Sequence, residues 1–524
     1  MFDAFTPQRA FSRARVGAGI VLALSVSIGT LFACMLPLGG GASARDVISW
    51  ISIGPNGALR YGSDRDGNQI PDFSAAGYEA GGAIPDVETV ERIAAPSGGD
   101  DTAAIQSAID TASGRPVKET GFRGAVELGP GKYRVSDTLK IRASGVVLRG
   151  AGMDRTQLNA TASLDMLILV EGSGAPRRTG NSRRIVANYT PVGGKTILLD
   201  SAADLSVGNR VFVQRPMTKA WIAAIGMDRI PVRSNGKTLQ WAPGASILSD
   251  RTIVGVHGNT IELDTGLTDA ISLQDDGQVW RYRFEGRIER VGVEALSARL
   301  EDNTPREHAK SGESEPMGAN FLTFGAAENG WVRNVSVARF STAIMFRSTA
   351  SSITATDFTV TDAAPVKSRG ALPTVVSIDG QKILVSNCRL EGGSYIAWAT
   401  QSRAPGPNVV RECEAHGNRA LGQGHQRWAT GLLFDNVKVT GSLHLGNRGN
   451  AGSGQGWSAA NSVLWNSSAA TWLVEDPPTA RNWAFGVTGR QLSSSEPPGE
   501  IVSPGRRVEP QSLYRAQLQD RLRR

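Results

Sequence analysis

At 524 residues the chain exceeds a typical one-domain length. With 61 glycines and only 20% charged residues it does not read as a helical bundle, a coiled coil or a disordered chain. Three cysteines are too few for a disulfide-stapled scaffold, while 40% apolar residues supply ample core. What remains is a β-rich, turn-dense chain, built as one elongated architecture or as two to three compact domains.

In chain order, Arg9, Arg13 and Arg15 precede a charge-free apolar run over 16–38 that closes on Ala42-Ser43-Ala44. This is the layout of a signal peptide, and the run is also long enough to stay as an N-terminal membrane anchor. Residues 1–44 are therefore assigned to export, and the body is expected in the periplasm or outside the cell. The formal net charge is +7, and +5 without residues 1–44. That mild excess suits an anionic polysaccharide. No basic run with interleaved aromatics favours nucleic acid.

Residues 45–90 read as an irregular N-terminal segment. Asp64, Asp66, Asn68 and Asp72 have a spacing loosely like a calcium loop. The downstream bidentate Glu is lacking, so a hydrogen-bonded turn is expected and no cofactor is assigned, with calcium the weaker alternative. Gly99-Asp100-Asp101-Thr102 then leads into Ile105, Ala108, Ile109 and Ala112, an N-capped amphipathic helix of about three turns. Strand-like runs follow at Ala125-Val126-Glu127-Leu128 and Val146-Val147-Leu148. Residues 185–285 break the rhythm and read as an inserted small β module.

The second half carries a repeat. Six segments centre on Asn334, Asp357, Asn387, Glu412, Asn436 and Asn466. An apolar residue sits two positions before each (Val332, Ala355, Val385, Val410, Phe434 and Leu464), and strand-like alternation follows each. The unequal spacing fits a solenoid whose coils vary in loop length. A parallel β-helix stacks like residues in ladders, so an Asn at a fixed bend can hydrogen-bond its neighbours above and below. Cys388 and Cys413 fall at one inward position of successive coils and are read as buried thiols. The predicted fold is all-β: a right-handed, single-stranded parallel β-helix over 91–490, with the helix near residue 105 as its N-terminal cap. A tail over 491–524 ends in a short capping or docking helix at Ser512 to Leu522.

Six of eleven tryptophans, Trp398, Trp428, Trp457, Trp465, Trp472 and Trp483, lie within the repeat's last coils. A flat indole beside polar groups suits a sugar ring. The same stretch holds Arg403, His425, Arg427, Asn447, Arg448 and Asn482. A lyase of uronate polymers needs a base for the proton α to the carboxylate and cations for the charge that develops. His425 is the expected base, with Arg427 and Arg403, or Arg448, gripping the carboxylate. Trp428, Asn447, Arg448, Trp457, Asn482 and Trp483 are the expected substrate-binding residues. No metal site is assigned.

Gly99 to Gln106, followed by Gly129-Pro130-Gly131-Lys132-Tyr133, resembles the opening of the pectate-lyase superfamily, whose fold is the right-handed parallel β-helix. His425-Gln426-Arg427-Trp428, Asn447-Arg448-Gly449-Asn450 and Pro477-Pro478 to Trp483 resemble a bacterial exported subset of that group. The resemblance implies carbohydrate binding and polysaccharide cleavage. The sequence departs from the subset at Gln426, where a second histidine is usual, and at Ile396-Ala397, where a His-Asp pair is usual. It departs again at Ala371-Leu372-Pro373, in place of an arginine-rich stretch. The expected function is β-elimination on an acidic, uronate-containing polysaccharide. The alternatives are a catalytically degenerate polysaccharide-binding or exopolysaccharide-assembly protein, or a hydrolase or epimerase on the same scaffold.

Overall fold

The computed structural model describes residues 50–161, 164–234, 236, 238–301, 319–364 and 372–523. The export segment predicted at 1–44 and residue Ala371 lie outside the described residues.

Twenty-five strands form one sheet, starting at Thr89–Ile93 and ending at Glu500–Val502, and each pairs in parallel with a strand one coil away. This is the predicted parallel β-helix. One inward stack runs Val126, Leu148, Val293, Val332, Ala355, Val385, Val410, Phe434, Leu464, Ala484. All ten side chains belong to one buried core. The alternation places one apolar residue per coil at this position, and burying each column from water stabilises the next coil.

All six repeat residues adopt the left-handed conformation, with φ of 47 to 57°. Ala295 and Gly486 extend the row one coil in each direction. Asn and Asp tolerate this state better than other side chains, which accounts for their recurrence. The expected hydrogen-bonded ladder is confined to Asn387 Nδ2 donating to Asp357 Oδ1 at 3.3 Å. Asn436 and Asn466 donate instead to the carbonyl of Gln511 in the tail. The bends are polar because of the backbone they must adopt.

The reading of Cys388 and Cys413 as thiols is corrected: they form a disulfide. Stacking on adjacent coils brings their Cα atoms to 4.5 Å, inside the range a disulfide spans.

Helix α1 (Thr102–Gly114) adds Ile105, Ile109 and Ala112 to the end of the core. The Asp100 carboxylate accepts from the Ser136 hydroxyl, from the Thr102 hydroxyl at 2.6 Å and from the Thr102 N–H at 3.0 Å, and these bonds hold it down to a pKa of about 2. The C-terminal helix (Leu513–Arg523) lies along the flank of the solenoid. There Leu513 and Tyr514 pack with Trp50, Ile70 and Phe73 of the N-terminal segment. Together they cover the outward stack Leu384, Val409, Leu433, Val463, Trp483. Gln517 accepts from Phe73 N at 2.9 Å and donates to Pro71 O at 3.0 Å, so the segment around Phe73 and the C-terminal helix form one strap.

The inserted module is a six-stranded antiparallel sheet in the order Arg177–Arg184, Gln278–Arg283, Arg210–Pro216, Ser246–His257, Thr260–Leu263, Thr196–Leu198. It starts eight residues before position 185, because its polar edge strand has no apolar alternation to reveal it. A short helix, α2 (Lys219–Ala224), places Trp221 and Ile222 against Trp428 and Trp457 of the coils.

Candidate functional site

On one side of the solenoid, strands ending at Phe346, Ile378, Thr400 and Gly424 stack in register and hand over to turns. Asp379 N donates to Phe346 O, Gln401 N to Ile378 O and His425 N to Thr400 O, each at 2.8 Å. Deeper in the turns Arg403 N donates to Arg427 O, and Arg427 N to Gln455 O, both at 3.0 Å. Asp379, Arg403 and Arg427 thus sit on three successive turns, forming a charged strip.

Both arginines are held at positive φ, 59° for Arg403 and 50° for Arg427, and Trp428 follows at 61°. Each such residue costs about 1 kcal/mol or more, and such strain collects at working sites. Burial and the like charge of Arg403 lower the pKa of the Arg427 guanidinium. Its Nε is buried without an acceptor. Among the described residues, neither guanidinium has a carboxylate in ion-pair contact. Burial pushes the Asp379 carboxyl up to about 6 against the opposing pull of Arg403. The strip therefore offers two cations for an anionic ligand and a carboxyl group that titrates near neutrality.

The predicted residues separate into two sets. His425, Arg427, Arg403, Asn447 and Arg448 are brought together: Arg448 Nη1 donates to His425 O at 2.6 Å. His425 itself is only 4% exposed, its Nε2 lying 3.2 Å from the Gln455 amide. Asn447 is tied to Glu475 through its N–H and to Glu496 through its amide, at 2.6 and 2.7 Å.

The other set does not meet the strip's surface. Trp428, Trp457 and Trp483 are corrected from sugar platforms to core residues, exposed by 0, 2 and 0%. Trp428 meets Trp221 edge to face at 4.7 Å and donates to the buried Asp269 carboxylate. Trp483 meets Trp50 at 5.4 Å under the strap. Asn482 is buried as well, donating to Ala459 O and Glu475 O and accepting from Ser462 N. The inserted module covers Trp428 and Trp457, and Trp50 with the C-terminal helix covers Trp483.

The Asp64 loop folds onto itself: its carboxylate accepts from Asp66 N and from both the backbone and side-chain N–H of Asn68, at 2.9 to 3.1 Å. Its oxygens are spent on the turn.

Residues 95–205 match the family model described as rhamnogalacturonase A/epimerase, pectate lyase-like. The match covers α1, the first coils and the start of the inserted module. No curated protein matches the chain by sequence. Among solved structures, the tailspike of Acinetobacter baumannii bacteriophage AP22, in complex with capsular saccharide, superposes at 10% identity and a TM-score of 0.37. It covers 77% of this chain, and the chain spans 63% of that tailspike's length. The tailspike gp49 of Pseudomonas phage LKA1 gives 11% identity and 0.35, over 77% and 74% of the two chains. The A-module of the mannuronan C-5 epimerase of Azotobacter vinelandii gives 11% and 0.29, over 78% and 94%. The coils form a parallel β-helix, and over 95–205 the sequence is similar to a pectate-lyase-like family model.

Proposed function

We propose that the chain is an exported carbohydrate-active protein that cleaves an acidic, uronate-containing polysaccharide by β-elimination at the strip. The observation that carries this reading is the pair of guanidiniums, Arg403 and Arg427, on adjacent turns beside Asp379, with no carboxylate in ion-pair contact among the described residues. A uronate carboxylate would pair with the two arginines, which also stabilise the charge that builds on it as the neighbouring proton leaves. Asp379, ionised above about 6, takes the C5 proton. The C5–H pair forms the C4=C5 double bond, the C4–O bond breaks, and the leaving oxygen takes up a proton. The base is assigned to Asp379 instead of His425, whose ring is buried. His425 is a positioning residue whose carbonyl anchors Arg448. The disulfide between adjacent coils supports export, because such bonds persist in oxidising compartments.

A second reading, binding without cleavage, draws support from the buried His425 and from Gln426 beside it. Incubation with a panel of polyuronates decides between them. New ultraviolet absorbance from unsaturated products, abolished in Asp379→Asn and in Arg403→Ala/Arg427→Ala, is the expected result. Binding by the wild-type chain with no unsaturated product on any substrate would establish the second reading.

A further inference from the structure

Of the eleven tryptophans, ten are buried, and only Trp280 is partly exposed. It lies on Gln278–Arg283 of the inserted module, second strand from the sheet's edge. Its Nε1–H donates to Gln214 Oε1 at 2.9 Å, and Gln214 Nε2 donates to Ser246 Oγ at 2.9 Å. Phe212 packs beside the indole with ring centres 5.0 Å apart. The ring is therefore held in one orientation, with its polar atom already satisfied.

The neighbouring edge strand departs from regular pairing at this point. Thr179 pairs with Arg281 and Arg183 with Val279, so Gly180, Asn181 and Ser182 stand opposite Trp280 alone. The bulge leaves Trp280 without a directly paired residue on the edge strand. On either side of the gap Arg178 lies opposite Tyr282, and Arg184 opposite Gln278. Alternation along the strand puts both arginines on the face of Trp280, and both are exposed. Arg184 has only a 3.6 Å contact with the exposed Asp276.

This face adjoins the strip. Gln381, two residues beyond Asp379, donates to Leu248 O at 3.4 Å and accepts from Asp250 N at 2.8 Å. Asp250 pairs with Phe212 on the next strand, and Phe212 pairs with Trp280 one strand further, roughly 10 Å from Asp250 by strand spacing.

From this arrangement we infer that Trp280, flanked by Arg178 and Arg184, is a saccharide-binding platform on the inserted module that holds a remote unit of the same acidic polysaccharide. The indole covers the apolar face of a sugar ring, and the arginines pair with uronate carboxylates on either side. The choice of polysaccharide rests on the proposed function. The platform geometry does not.

The test titrates the full chain with polygalacturonate while acrylamide quenching of tryptophan emission is followed. Neutral dextran and anionic phospholipid vesicles serve as controls. Polygalacturonate is expected to shield Trp280 from the quencher. Trp280→Ala is expected to lose that signal and to bind at least tenfold more weakly at an unchanged melting temperature. Arg178→Ala/Arg184→Ala should weaken binding several-fold while the indole remains quenchable. Wild-type affinity in Trp280→Ala overturns the platform, as does shielding by dextran or vesicles in place of polygalacturonate. Product formation separates the two readings: shielding without unsaturated products sinks the lyase reading and keeps the platform. Turnover with undiminished affinity in Trp280→Ala does the reverse, and neither shielding nor products overturns both.

Discussion

The solenoid uses the left-handed backbone state at several rows of turns, and two of these rows fill it differently. At the repeat bends the state falls mostly on Asn and Asp, from Asn334 to Asn466. These residues reach it at low cost, and Asn436 and Asn466 also tie the tail to the coils through the carbonyl of Gln511. At the strip it falls on Arg403, Arg427 and Trp428, which gain nothing from it conformationally. The first row closes coils. The second accepts strain and thereby fixes two guanidiniums beside Asp379. Residue type at a strained bend, more than the strain itself, separates architecture from a working surface.

The largest expected effect tests the strip. Asp379→Asn should lower turnover by about 10²- to 10⁴-fold, as expected for loss of a general base, with polyuronate affinity retained. Steady-state product absorbance together with calorimetric binding would check this. Equal loss of binding would reduce Asp379 to a ligand-positioning group.

Next in size is the staple between coils. Replacing Cys388 and Cys413 together by Ser should cost about 3 kcal/mol in denaturant unfolding, from the 25-residue separation they close. An unchanged unfolding midpoint under oxidising conditions would mean that the bond contributes nothing.

The pH dependence follows from the raised Asp379 carboxyl. Its folded value of about 6 exceeds the unfolded 3.8, so the folded state holds this proton more tightly. The stability this provides is complete below the unfolded value and is lost as pH rises through about 6. Melting curves should show Asp379→Asn gaining about 1 to 2 kcal/mol on wild type at pH 8 and little at pH 4. Wild-type turnover, which needs the carboxylate, should rise over the same interval.

The smallest effects compare the rows directly. Asn387→Gly should alter stability by only a few tenths of a kcal/mol and leave activity intact, whereas Asn387→Ala should cost about 1 kcal/mol. Arg427→Gly should relieve strain and stabilise by up to about 1 kcal/mol while weakening polyuronate binding at least tenfold. If Arg427→Gly lost stability and kept binding, the contrast between the rows would fail.

Much of the coil architecture was legible in the chain because its causes are local. The alternation around Val332, Val385 and Val410 selects strands, and a polar residue recurring at one bend counts the coils. The spacing of Ile105, Ile109 and Ala112 selects α1. The site was legible only in part. His425, Arg427 and Arg403 come near one another because successive coils stack in register. Their exposure was not readable, since it depends on what lies over them. The indoles of Trp428 and Trp457 look like ligand platforms in one dimension, but α2, some 200 residues earlier, covers them. Trp483 is covered by Trp50 and the C-terminal helix. The polar strand Arg177–Arg184, without alternation, is a strand only because Gln278–Arg283 pairs with it.

Residue periodicity by itself determined that this protein is a parallel β-helix, because burying one apolar column per coil is a short-range repeating requirement. Which tryptophans face solvent and which cations stay unpaired were decided only by tertiary structure. Burial and charge pairing depend on surfaces that distant segments bring together. That is also why Trp280, set apart in sequence from the tryptophan cluster, is the one left partly exposed.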